Sequence, residues 1–564
     1  MELRSYFTDT LRKIEDENYK DLELSLPPKP EYFNWVEEIF YPLNVQRHGE
    51  RDALIWKHKI TKKYSFNDVY TSCNQLLNLL RRHGVNEGQV IYTMLPLVPE
   101  NWYSFLAGIK GGFIIMPTAT NLVTKDLIYR FDTLIPDVMI AHRDFADEID
   151  QAERQSDKSI KLKIIVGGQR AGWINFDEVW QEAKEASPAK TKSDTPFLYF
   201  FTSGTTGLPK IVVHSHFTYP VGHLSTLSWL GCTHEDIHYN ISSPGWAKFA
   251  WSSFFAPWNS GAAILAYQAD KFDPKDQLHT MEELGVSTFC GSPTVIRLLI
   301  QEDLSDYKLK LRSCCAAGEP LNPDVIDKWY KGTGVTIRDG YGQTETTALI
   351  ANLKGRQLKP GSMGKPTFLY DIGIYDDQGN EVPHLEEGVI CVKTDQKKNN
   401  GLFLEYLNDQ DRMANAFKHD LYYTGDKAYK DEDGYVWFIG RNDDVIKASA
   451  YRIGPFEVES VLIEHQDIIE SAVVASPHPI RGYAVKAFII LRDGVEPQEK
   501  LAQELFSFCR DRLAKYKIPR IIEFSTTLPK TISGKIRRIE LRANEAVSKQ
   551  HKELRDHEYF HDKY

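Results

Sequence analysis

Short apolar runs rich in β-branched residues alternate with segments of helical periodicity from about Trp56 to residue 320. The clearest runs are QVIYTMLP, GGFIIMPT, VMIAH, LKIIVGG and AAILAYQ, and VSTFCGSP and KLRSCCAAGEP continue the series. The segment TSCNQLLNLLRRHGV, before the first of these runs, has apolar residues at helical spacing. Strands separated by helix-length segments are typical of parallel sheets covered by helices. The pattern therefore predicts an α/β fold with a large N-terminal body of helix-covered sheets.

The pattern changes past Leu353, where strand-like runs and turn residues alternate up to a polar break at GRNDD. This predicts a small β-rich lobe. After the break, two helical segments, FEVESVLIEH and EKLAQELFSFCRDRLAKY, accompany two strand-like segments, SAVVASPHP and AVKAFIILRDG. We predict a body over residues 1–440 and a separate, mobile α+β C-terminal domain over residues 441–564, ending in a solvated segment, HKELRDHEYFHDKY.

Composition limits the possible functions. Of the 564 residues, 42% are hydrophobic and 26% are charged, which excludes a disordered or collagen-like chain. The formal net charge of −10 argues against a surface devoted to nucleic acid or anionic lipid. The window Lys515–Arg542 differs, because it holds eight basic and two acidic residues and is suited to a polyanionic ligand.

Cysteine usage and apolar runs indicate the compartment. The seven cysteines form no C-x-x-C pair, and this sparse, odd count is typical of a reducing environment. The N-terminal segment interleaves acidic and basic residues, unlike a secretory signal or a typical transit peptide. The most suspicious apolar segment, Phe105–Met116, contains Lys110 and is shorter than the roughly 20 apolar residues that span a bilayer. We expect a cytoplasmic protein without a membrane span.

The most informative stretch is FTSGTTGLPKIVVH, in which small hydroxyl and glycine residues separate two β-rich runs. These small residues are Thr202, Ser203, Gly204, Thr205, Thr206 and Gly207. Their hydroxyls and backbone N–H groups suit phosphate oxygens, and Lys210 adds positive charge. A Walker A loop is excluded, because Leu208 and Pro209 precede the lysine and no helix follows it. A plain hairpin turn is the alternative for this loop taken alone.

Three further segments offer groups that a nucleotide needs. Gly318, Glu319 and Pro320 follow a predicted strand, DGYGQTE follows another, and YTGD lies in the β-rich lobe. Taken singly, Glu319 could be a helix-start acid, Glu345 a surface charge and Asp426 a turn residue. Together they supply a carboxylate for the ribose hydroxyls, a magnesium ligand beside the phosphates and backbone edges for adenine.

Two late segments concern the C-terminal domain. GRNDDVIK lies at the composition break, where glycine and successive polar residues can absorb dihedral changes, and it predicts a hinge. PKTISGKIRR places Lys535 behind a turn of small residues. The alternative for this second segment is a basic surface loop that binds nucleic acid, which the lack of interleaved aromatic residues disfavours.

In this order, the six motifs make the chain resemble the acyl-adenylate-forming superfamily over residues 50 to 545. Within that superfamily, the run SAYRIGPFEVES, followed by VKAF and YKIPR, is most similar to medium-chain acyl-CoA synthetases. The motifs are FTSGTTGLPK, AGEP, DGYGQTE, YYTGD, GRNDDVIK and PKTISGKIRR. The resemblance implies that a carboxylate attacks ATP to give acyl-AMP and diphosphate, and that coenzyme A then takes the acyl group and releases AMP. ATP, Mg²⁺ and coenzyme A are the implied cofactors and co-substrates.

The resemblance also implies roles for individual residues. Lys535, Glu345 and Thr344 would be catalytic, Thr344 and Glu345 would also hold the magnesium, and Asp443 would be the hinge. The implied contacts to ATP are Thr202, Ser203, Gly204, Thr205, Thr206, Gly207, Lys210, Gly318, Glu319, Pro320, Asp339, Gly340, Tyr341, Gly342, Gln343, Thr344, Asp426, Arg441, Arg452 and Lys535. The implied contacts to coenzyme A are Ser449, Ala450 and Tyr451.

Two positions depart from the pattern. Ala450 stands where many relatives have glycine at the thiol tunnel, and its methyl group could narrow that route. Gly342 stands where acetyl- and propionyl-CoA synthetases carry a tryptophan that closes the acyl pocket. We therefore expect room for acids of about four carbons or more, branched or hydroxylated ones included. Trp246 is the implied pocket wall, with a plain core tryptophan as the alternative.

The leading hypothesis is an ATP-dependent acid–CoA ligase acting on a small carboxylic acid, without a nucleic-acid partner. One alternative is an acyl-adenylating enzyme that delivers to a carrier protein or stops at the adenylate. A second is a silent nucleotide-binding module, which the joint presence of Lys535, Glu345 and Asp426 disfavours. The oligomeric state, homo-oligomers included, stays open.

Overall fold

A computed structural model describes residues 2–202, 209–394, 400–448, 451–478, 482–531, 535–551 and 555–561. The chain divides into two compact units. The first consists of Met1–Thr202, Pro209–Ile372 and Val392–Asn415, and the second contains Gly373–Cys391 and Ala416–Tyr564. The β-rich lobe and the C-terminal segment thus belong to the same compact unit. The boundary at residue 440 is the predicted start of a mobile C-terminal domain, and it stays a prediction.

The first unit contains a nine-stranded sheet whose central strands are parallel. From one edge to the other, the strands are Lys365–Pro366, Ala348–Ala351, Ile337–Gly342, Ser313–Ala317, Thr288–Gly291, Ile237–Asn240, Ala263–Tyr267, Asp52–Lys57 and Thr61–Ser65. Antiparallel pairing is confined to the edges, at Thr61–Ser65 and from Ile337–Gly342 outward. The carboxyl ends of the parallel strands therefore share one edge of the sheet.

An eight-stranded sheet forms the second layer of the same unit. Its strands, in order, are Glu405–Tyr406, Lys210–Ser215, Pro196–Thr202, Ile114–Pro117, Val90–Met94, Val138–His142, Leu162–Val166 and Ile174–Asn175. All five residues of Val90–Met94 are buried, as expected for a parallel strand covered on both faces. The five clearest predicted strands all occur, which confirms the predicted α/β body.

Helices cover both sheets of the first unit. Helix Phe66–Arg82 begins at a reciprocal cap between Ser65 and Asp68 and contains most of the predicted helical segment. The α-helices that begin in this unit are Leu3–Glu15, Tyr19–Glu23, Gln46–His48, Phe66–Arg82, Glu100–Gly111, Thr124–Thr133, Ala146–Gln155, Thr218–Leu230, Ala247–Ala250, Ala256–Ser260, Pro274–Glu283, Pro293–Leu299, Pro323–Thr333 and Gln410–Ala416. The π-helices are Val36–Val45 and Trp251–Phe255, and the 3₁₀ turns are Arg143–Phe145, Phe176–Gln181 and Leu304–Asp306.

The β-rich lobe and the C-terminal domain contain three further sheets. The lobe has strands Ile372–Tyr375, Gly388–Lys393, Phe417–Lys418, Leu421–Lys430 and Val436–Arg441. Strands Ile446–Ala448 and Tyr451–Ile453 pair with each other, and the last sheet consists of Ile468–His478, Gly482–Leu491, Ile521–Phe524 and Glu558–Phe560. Helices Pro455–Ile463, Glu499–Arg512 and Arg538–Gln550 accompany these sheets.

The prediction of a solvated C-terminal end is wrong for residues 558–560. Glu558–Phe560 is a strand paired antiparallel with Ile521–Phe524. A buried ion pair holds this strand in place, because Lys486 Nζ lies 2.5 Å from Glu558 Oε1 and the Lys486 side chain is fully buried.

Within the described ranges, every helix is too short or too polar to span a bilayer.

Candidate active site

The centre of the site is an ion pair between Lys210, the first residue of a strand, and Glu345, in the turn after another strand. Lys210 Nζ lies 2.7 Å from Glu345 Oε1. Tyr406 donates a hydrogen bond from its hydroxyl to the same oxygen at 2.9 Å, and Lys210 Nζ lies 3.8 Å from the centroid of its ring. A lysine, a phenol and a buried carboxylate therefore meet at one oxygen atom.

Backbone pairing positions these three side chains. Strand Glu405–Tyr406 pairs antiparallel with Lys210–Ser215, which brings Tyr406 opposite Val212 and close to Lys210. The backbone N–H of Phe403 donates to the carbonyl oxygen of Glu345 at 2.9 Å. The turn that carries Glu345 is thus attached to the same segment, through its main chain as well as its side chain.

His214 lies on the same strand as Lys210 and binds the same turn. Its Nε2 lies 2.7 Å from the carbonyl oxygen of Thr344. A carbonyl oxygen only accepts hydrogen bonds, so Nε2 carries the proton. Burial lowers the pKa of His214 to about 4, which makes the imidazole neutral near pH 7. Lys210 and His214 together hold the side chain of Glu345 and the main chain of Thr344.

The carboxylate of Glu345 is ionised despite its burial. Burial alone would raise its pKa, but the Lys210 charge and the hydrogen bonds from Lys210 and Tyr406 outweigh this effect and lower the pKa below its ordinary value. An ionised carboxylate oxygen is a ligand that Mg²⁺ prefers. Glu345 therefore has the chemistry expected of a magnesium ligand beside phosphates.

The residues assigned to adenine lie at the carboxyl edge of the nine-stranded sheet. Strands Ser313–Ala317 and Ile337–Gly342 are parallel neighbours with Ala317 opposite Gly340, so Gly318, Glu319 and Pro320 follow one strand end beside Tyr341 on the next. Thr294 donates to Glu319 Oε2 at 2.7 Å. Burial raises the pKa of Asp339 well above its ordinary value, and Asp339 Oδ1 accepts from the backbone N–H of Gly340. These residues form one contiguous edge, and Gln343 and Thr344 continue it.

Thr202 marks the start of the predicted phosphate loop. It ends strand Pro196–Thr202 and pairs in register with Lys210. Its hydroxyl is buried and has no hydrogen-bond partner among the residues that the structure describes, as expected of a group that binds a ligand. The predicted loop residues Ser203, Gly204, Thr205, Thr206 and Gly207 lie outside the described residues, as do Ser449 and Ala450.

The surroundings of Gly342 bear on the predicted acyl pocket, which stays a prediction. A Cβ atom added at Gly342 would lie 2.2 Å from the carbonyl oxygen of Thr347 and 2.5 Å from Cη2 of Trp251. The indole of Trp251 and the main chain of Thr347 thus occupy the first part of the space that a side chain at 342 would take. Trp246 is partly buried and packs against the core of the eight-stranded sheet, so its predicted role as a pocket wall stays a prediction.

The two residues predicted to bind the ribose, Asp426 and Arg441, lie in the second unit. Asp426 and Arg441 are opposite each other on neighbouring antiparallel strands, and Arg441 Nε lies 3.5 Å from Asp426 Oδ1. Asp426 is 4% exposed, and its backbone N–H bonds the hydroxyl of Thr424. The two residues that the sequence assigns to one sugar are therefore neighbours.

The other predicted residues of the second unit lie on separate elements. Asp443 is exposed in the turn after strand Val436–Arg441, and the next residue, Asp444, forms an ion pair with Arg542. Arg452 is exposed on strand Tyr451–Ile453, which Tyr451 begins. The backbone N–H groups of Lys535 and Thr531 tie the ends of the predicted lysine loop together, Lys535 N to Thr531 Oγ1 at 3.1 Å and Thr531 N to Lys535 O at 2.7 Å.

Comparison with protein families assigns both parts of the chain. Residues 42–407 match the model of the AMP-binding enzyme family, and residues 457–535 match the AMP-binding enzyme C-terminal domain. The chain belongs to the AMP-binding enzyme family. This membership confirms the predicted superfamily and the α/β body with a smaller α+β C-terminal domain.

Several proteins of the AMP-binding enzyme family resemble the whole chain. 4-Hydroxybutyrate–CoA ligase 1 of Metallosphaera sedula is 45% identical over 534 residues, covering 93% of each chain. The mitochondrial acyl-coenzyme A synthetase ACSM3 of Mus musculus is 39% identical and covers 92% of each chain. The crystal structure of the anthranilate CoA ligase AuaEII with anthranoyl-AMP superposes with a TM-score of 0.85 at 29% identity, covering 92% of this chain and 99% of that chain.

This AMP-binding enzyme is an acid–CoA ligase that forms AMP, as predicted, and ATP and coenzyme A are substrates of its family. Sequence reasoning missed three residues at its site: His214, Trp251 and Tyr406. For His214 a signal was present, because it is four residues from Lys210 in a strand and so lies on the same face. No comparable signal marks Tyr406 or Trp251, which reach the site only through tertiary packing.

Proposed function

We propose that this ligase activates a short- to medium-chain carboxylic acid of about four carbons or more, hydroxylated acids included. The observation that supports activation by ATP is the buried contact of Lys210, Tyr406 and Glu345 at the carboxyl edge of the sheets, where open α/β folds bind ligands. The name of the relative that is 45% identical over 93% of the chain, 4-hydroxybutyrate–CoA ligase 1, supports an acid of this size.

The proposed reaction has two steps. A carboxylate oxygen of the acid attacks the α-phosphorus of ATP, and the bond to the bridging oxygen breaks to release diphosphate and leave acyl-AMP. The sulfur of coenzyme A then attacks the acyl carbonyl, the bond to the AMP oxygen breaks, and the thiol proton passes to solvent. In the first step, Lys535 stabilises the charge that develops between the carboxylate and the α-phosphate.

Mg²⁺ fits the residues assigned to it. Glu345 is an ionised, buried carboxylate, and Lys210 and Tyr406 both contact its Oε1. We propose that Glu345 and the hydroxyl of Thr344 hold the ion, which neutralises phosphate charge when bound. Lys210 and Thr202, with the loop residues 203–207, orient the leaving diphosphate.

Nucleotide and thiol contacts complete the proposal. Asp426 and Arg441 bind the ribose hydroxyls, Gly318–Pro320 and Asp339–Tyr341 frame the adenine, and Arg452 contacts the nucleotide. Rotation about Asp443 then replaces Lys535 with the segment Ser449–Tyr451, which receives coenzyme A. We expect the thioester step to proceed with Ala450 at the position where many relatives have glycine.

The proposal is tested by measuring AMP and thioester with ATP, Mg²⁺, coenzyme A and a series of straight-chain acids from acetate to octanoate. We expect thioester from butanoate upward and little from acetate, and we expect chelation of Mg²⁺ to abolish both products. Diphosphate exchange without thioester would favour delivery to a carrier protein. No reaction with any acid would favour a silent nucleotide-binding module.

The cellular location is a separate expectation. A cytoplasmic protein is predicted from cysteine usage, whereas one of the similar proteins is named mitochondrial. Imaging of the full chain with a C-terminal fluorescent fusion in its native host checks this prediction. Fluorescence confined to an organelle or membrane would contradict it.

A further inference from the structure

Lys248 carries a buried ammonium group that the mechanism above does not use. Its Nζ is inaccessible to solvent and has no hydrogen-bond partner within the part of the chain that the structure describes. Burial of an ammonium without a partner is unfavourable. Core packing alone therefore does not explain why a lysine occupies position 248.

Lys110 and Lys486, which are buried among the described residues, show how a structural lysine is satisfied in this protein. Lys110 Nζ contacts Glu37 at 2.8 Å, the hydroxyl of Tyr70 at 2.8 Å and the amide oxygen of Asn74 at 2.7 Å. Lys486 Nζ contacts three glutamate carboxylates within 2.8 Å. Both ammonium groups have a full set of acceptors. Lys248 has none of these acceptors among the described residues, so it does not follow the structural pattern of the same protein.

The position of Lys248 relates it to the acyl site. Lys248 lies on helix Ala247–Ala250, which follows directly after Trp246, and it is three and four residues before Trp251 and Ser252. This spacing places the three side chains on one helical face. Trp251 contacts Gly342, and Ser252 Oγ lies 2.9 Å from His238 Nε2 on strand Ile237–Asn240. Lys248 thus lies along the chain between Trp246, the predicted pocket wall, and Trp251, which contacts Gly342.

The end of strand Ile237–Asn240 carries a second polar atom without a described partner. Asn240, the last residue of strand Ile237–Asn240, is 2% exposed, and its Oδ1 has no hydrogen-bond partner in the described ranges. Its amide nitrogen donates to Ser253 Oγ at 2.8 Å, which fixes the orientation of the amide. A buried donor, Lys248 Nζ, and a buried acceptor, Asn240 Oδ1, therefore lie on two segments that the hydrogen bonds of Ser252 and Ser253 join.

We propose that Lys248 is a specificity-determining residue that recognises a hydroxyl group at the far end of a short acyl chain. The inference rests on the proposed function, because it assumes that the carboxyl group of the acid reacts beside Thr344 and Glu345. The acyl chain then extends from the reacting carboxyl group toward Trp246 and Trp251. A terminal hydroxyl accepts a hydrogen bond from Lys248 and has a proton to donate in turn. A terminal methyl group does neither, and a second carboxylate only accepts.

The test compares kcat/KM for 4-hydroxybutanoate, butanoate and butanedioate in thioester formation. For the unaltered enzyme we expect a preference for 4-hydroxybutanoate over butanoate of about tenfold or more, since a site built for a hydroxyl rejects analogues that lack it. In Lys248→Met, which keeps the length of the side chain, we expect that preference to disappear while kcat/KM for butanoate stays within about threefold or rises. Lys271→Met, at an exposed lysine, is the matched control and should keep the preference.

Several outcomes would overturn the inference. An equal loss for 4-hydroxybutanoate and butanoate in Lys248→Met would indicate a structural role, as would failure of both Lys248→Met and Lys248→Gln to fold. A preference of the unaltered enzyme for butanedioate, or no preference between butanoate and 4-hydroxybutanoate, would also contradict it. Absence of thioester from every acid would instead contradict the proposed function, so the two failures are distinguishable.

Discussion

The imidazole of His214 and the carbonyl oxygen of Thr344 form a hydrogen bond of 2.7 Å between residues that are 130 positions apart. We expect His214→Leu to lower kcat/KM for ATP by about tenfold to a hundredfold, because a buried carbonyl oxygen loses its partner and the turn that carries Glu345 is released. ATP–diphosphate exchange at saturating acid measures the effect.

The matched control for His214 is His216→Leu. His216 directly follows the same strand and is fully buried, but neither ring nitrogen has a hydrogen-bond partner among the described residues. We expect this variant to keep kcat/KM for ATP near the unaltered value. Equal losses in the two variants would mean that strand packing, rather than the bond to Thr344, determines the activity.

His216 makes the first unit sensitive to acid. Burial lowers the pKa of His216 to about 3, whereas the unfolded chain binds a proton below the ordinary value of 6.5. The stabilisation from neutral His216 is therefore present above pH 6.5 and is lost as the pH falls toward 3. We expect His216→Phe to gain about 2 kcal/mol in free energy of unfolding, relative to the unaltered protein, between pH 7 and pH 5.

Denaturant unfolding of both proteins at the two pH values checks this prediction. Phenylalanine keeps a ring that can pack against Phe197, whose centroid lies 5.1 Å from that of His216. A difference between the proteins that is the same at pH 7 and pH 5 would contradict the proposed linkage.

We predict that Trp251, together with Gly342, limits the length of the acyl chain. We expect Trp251→Leu to move the optimum of kcat/KM toward longer acids, because the indole that lies against Gly342 is removed. A series from butanoate to octanoate measures the shift. Trp329→Leu, at a fully buried tryptophan in the core of the nine-stranded sheet, controls for lost stability and should leave the chain-length profile unchanged. An unchanged profile in Trp251→Leu would place the limit elsewhere.

Gly342 itself is expected to tolerate no side chain. A Cβ at this position would meet the carbonyl oxygen of Thr347 at 2.2 Å, which is far inside van der Waals contact. Gly342→Ala should therefore lower activity toward all acids together, and Gly342→Trp should do the same rather than select acetate. A variant that selects acetate with undiminished kcat would contradict this expectation.

Lys535 is predicted to act in only one of the two half-reactions. We expect Lys535→Ala to lower acyl-AMP formation by about a thousandfold, because the charge developing at the α-phosphate loses its partner, and to leave thioester formation from supplied acyl-AMP nearly unchanged. Single-turnover measurements of each half-reaction provide the check. An equal loss in both steps would contradict the proposed rotation about Asp443.

Lys486 anchors the C-terminal strand through charge. Its fully buried ammonium lies 2.7 Å from Glu523, 2.8 Å from Glu545 and 2.5 Å from Glu558. We expect Lys486→Met to destabilise the domain by about 3–5 kcal/mol, because it leaves buried carboxylates without their main partner. Lys549→Met, at the rim of the same cluster, should cost less than about 1 kcal/mol. Thermal unfolding of the full chain separates the two variants, and equal costs would contradict the central role of Lys486.

The local sequence pattern was sufficient to predict much of the fold and to identify the family. Runs such as VMIAH and LKIIVGG became the strands Val138–His142 and Leu162–Val166, because continuous β-branched apolar residues favour a strand buried on both faces. The motifs FTSGTTGLPK and DGYGQTE identified Lys210 and Glu345, since such residues carry their chemistry in the sequence itself. The prediction for the final segment was wrong, because its polar composition gave no sign that Glu558 binds Lys486, a residue 72 positions away.

The sequence by itself determined the order of strands and helices, the family and the chemical types of the site residues, because these depend on short-range pattern and composition. Only the tertiary structure decided which groups meet: His214 with Thr344, Trp251 with Gly342, and Tyr406 with Glu345. It also showed that Lys248 is buried without a partner among the described residues. The physical reason is that burial and hydrogen-bond satisfaction depend on neighbours brought together by sheet register and helix packing, which no local pattern encodes.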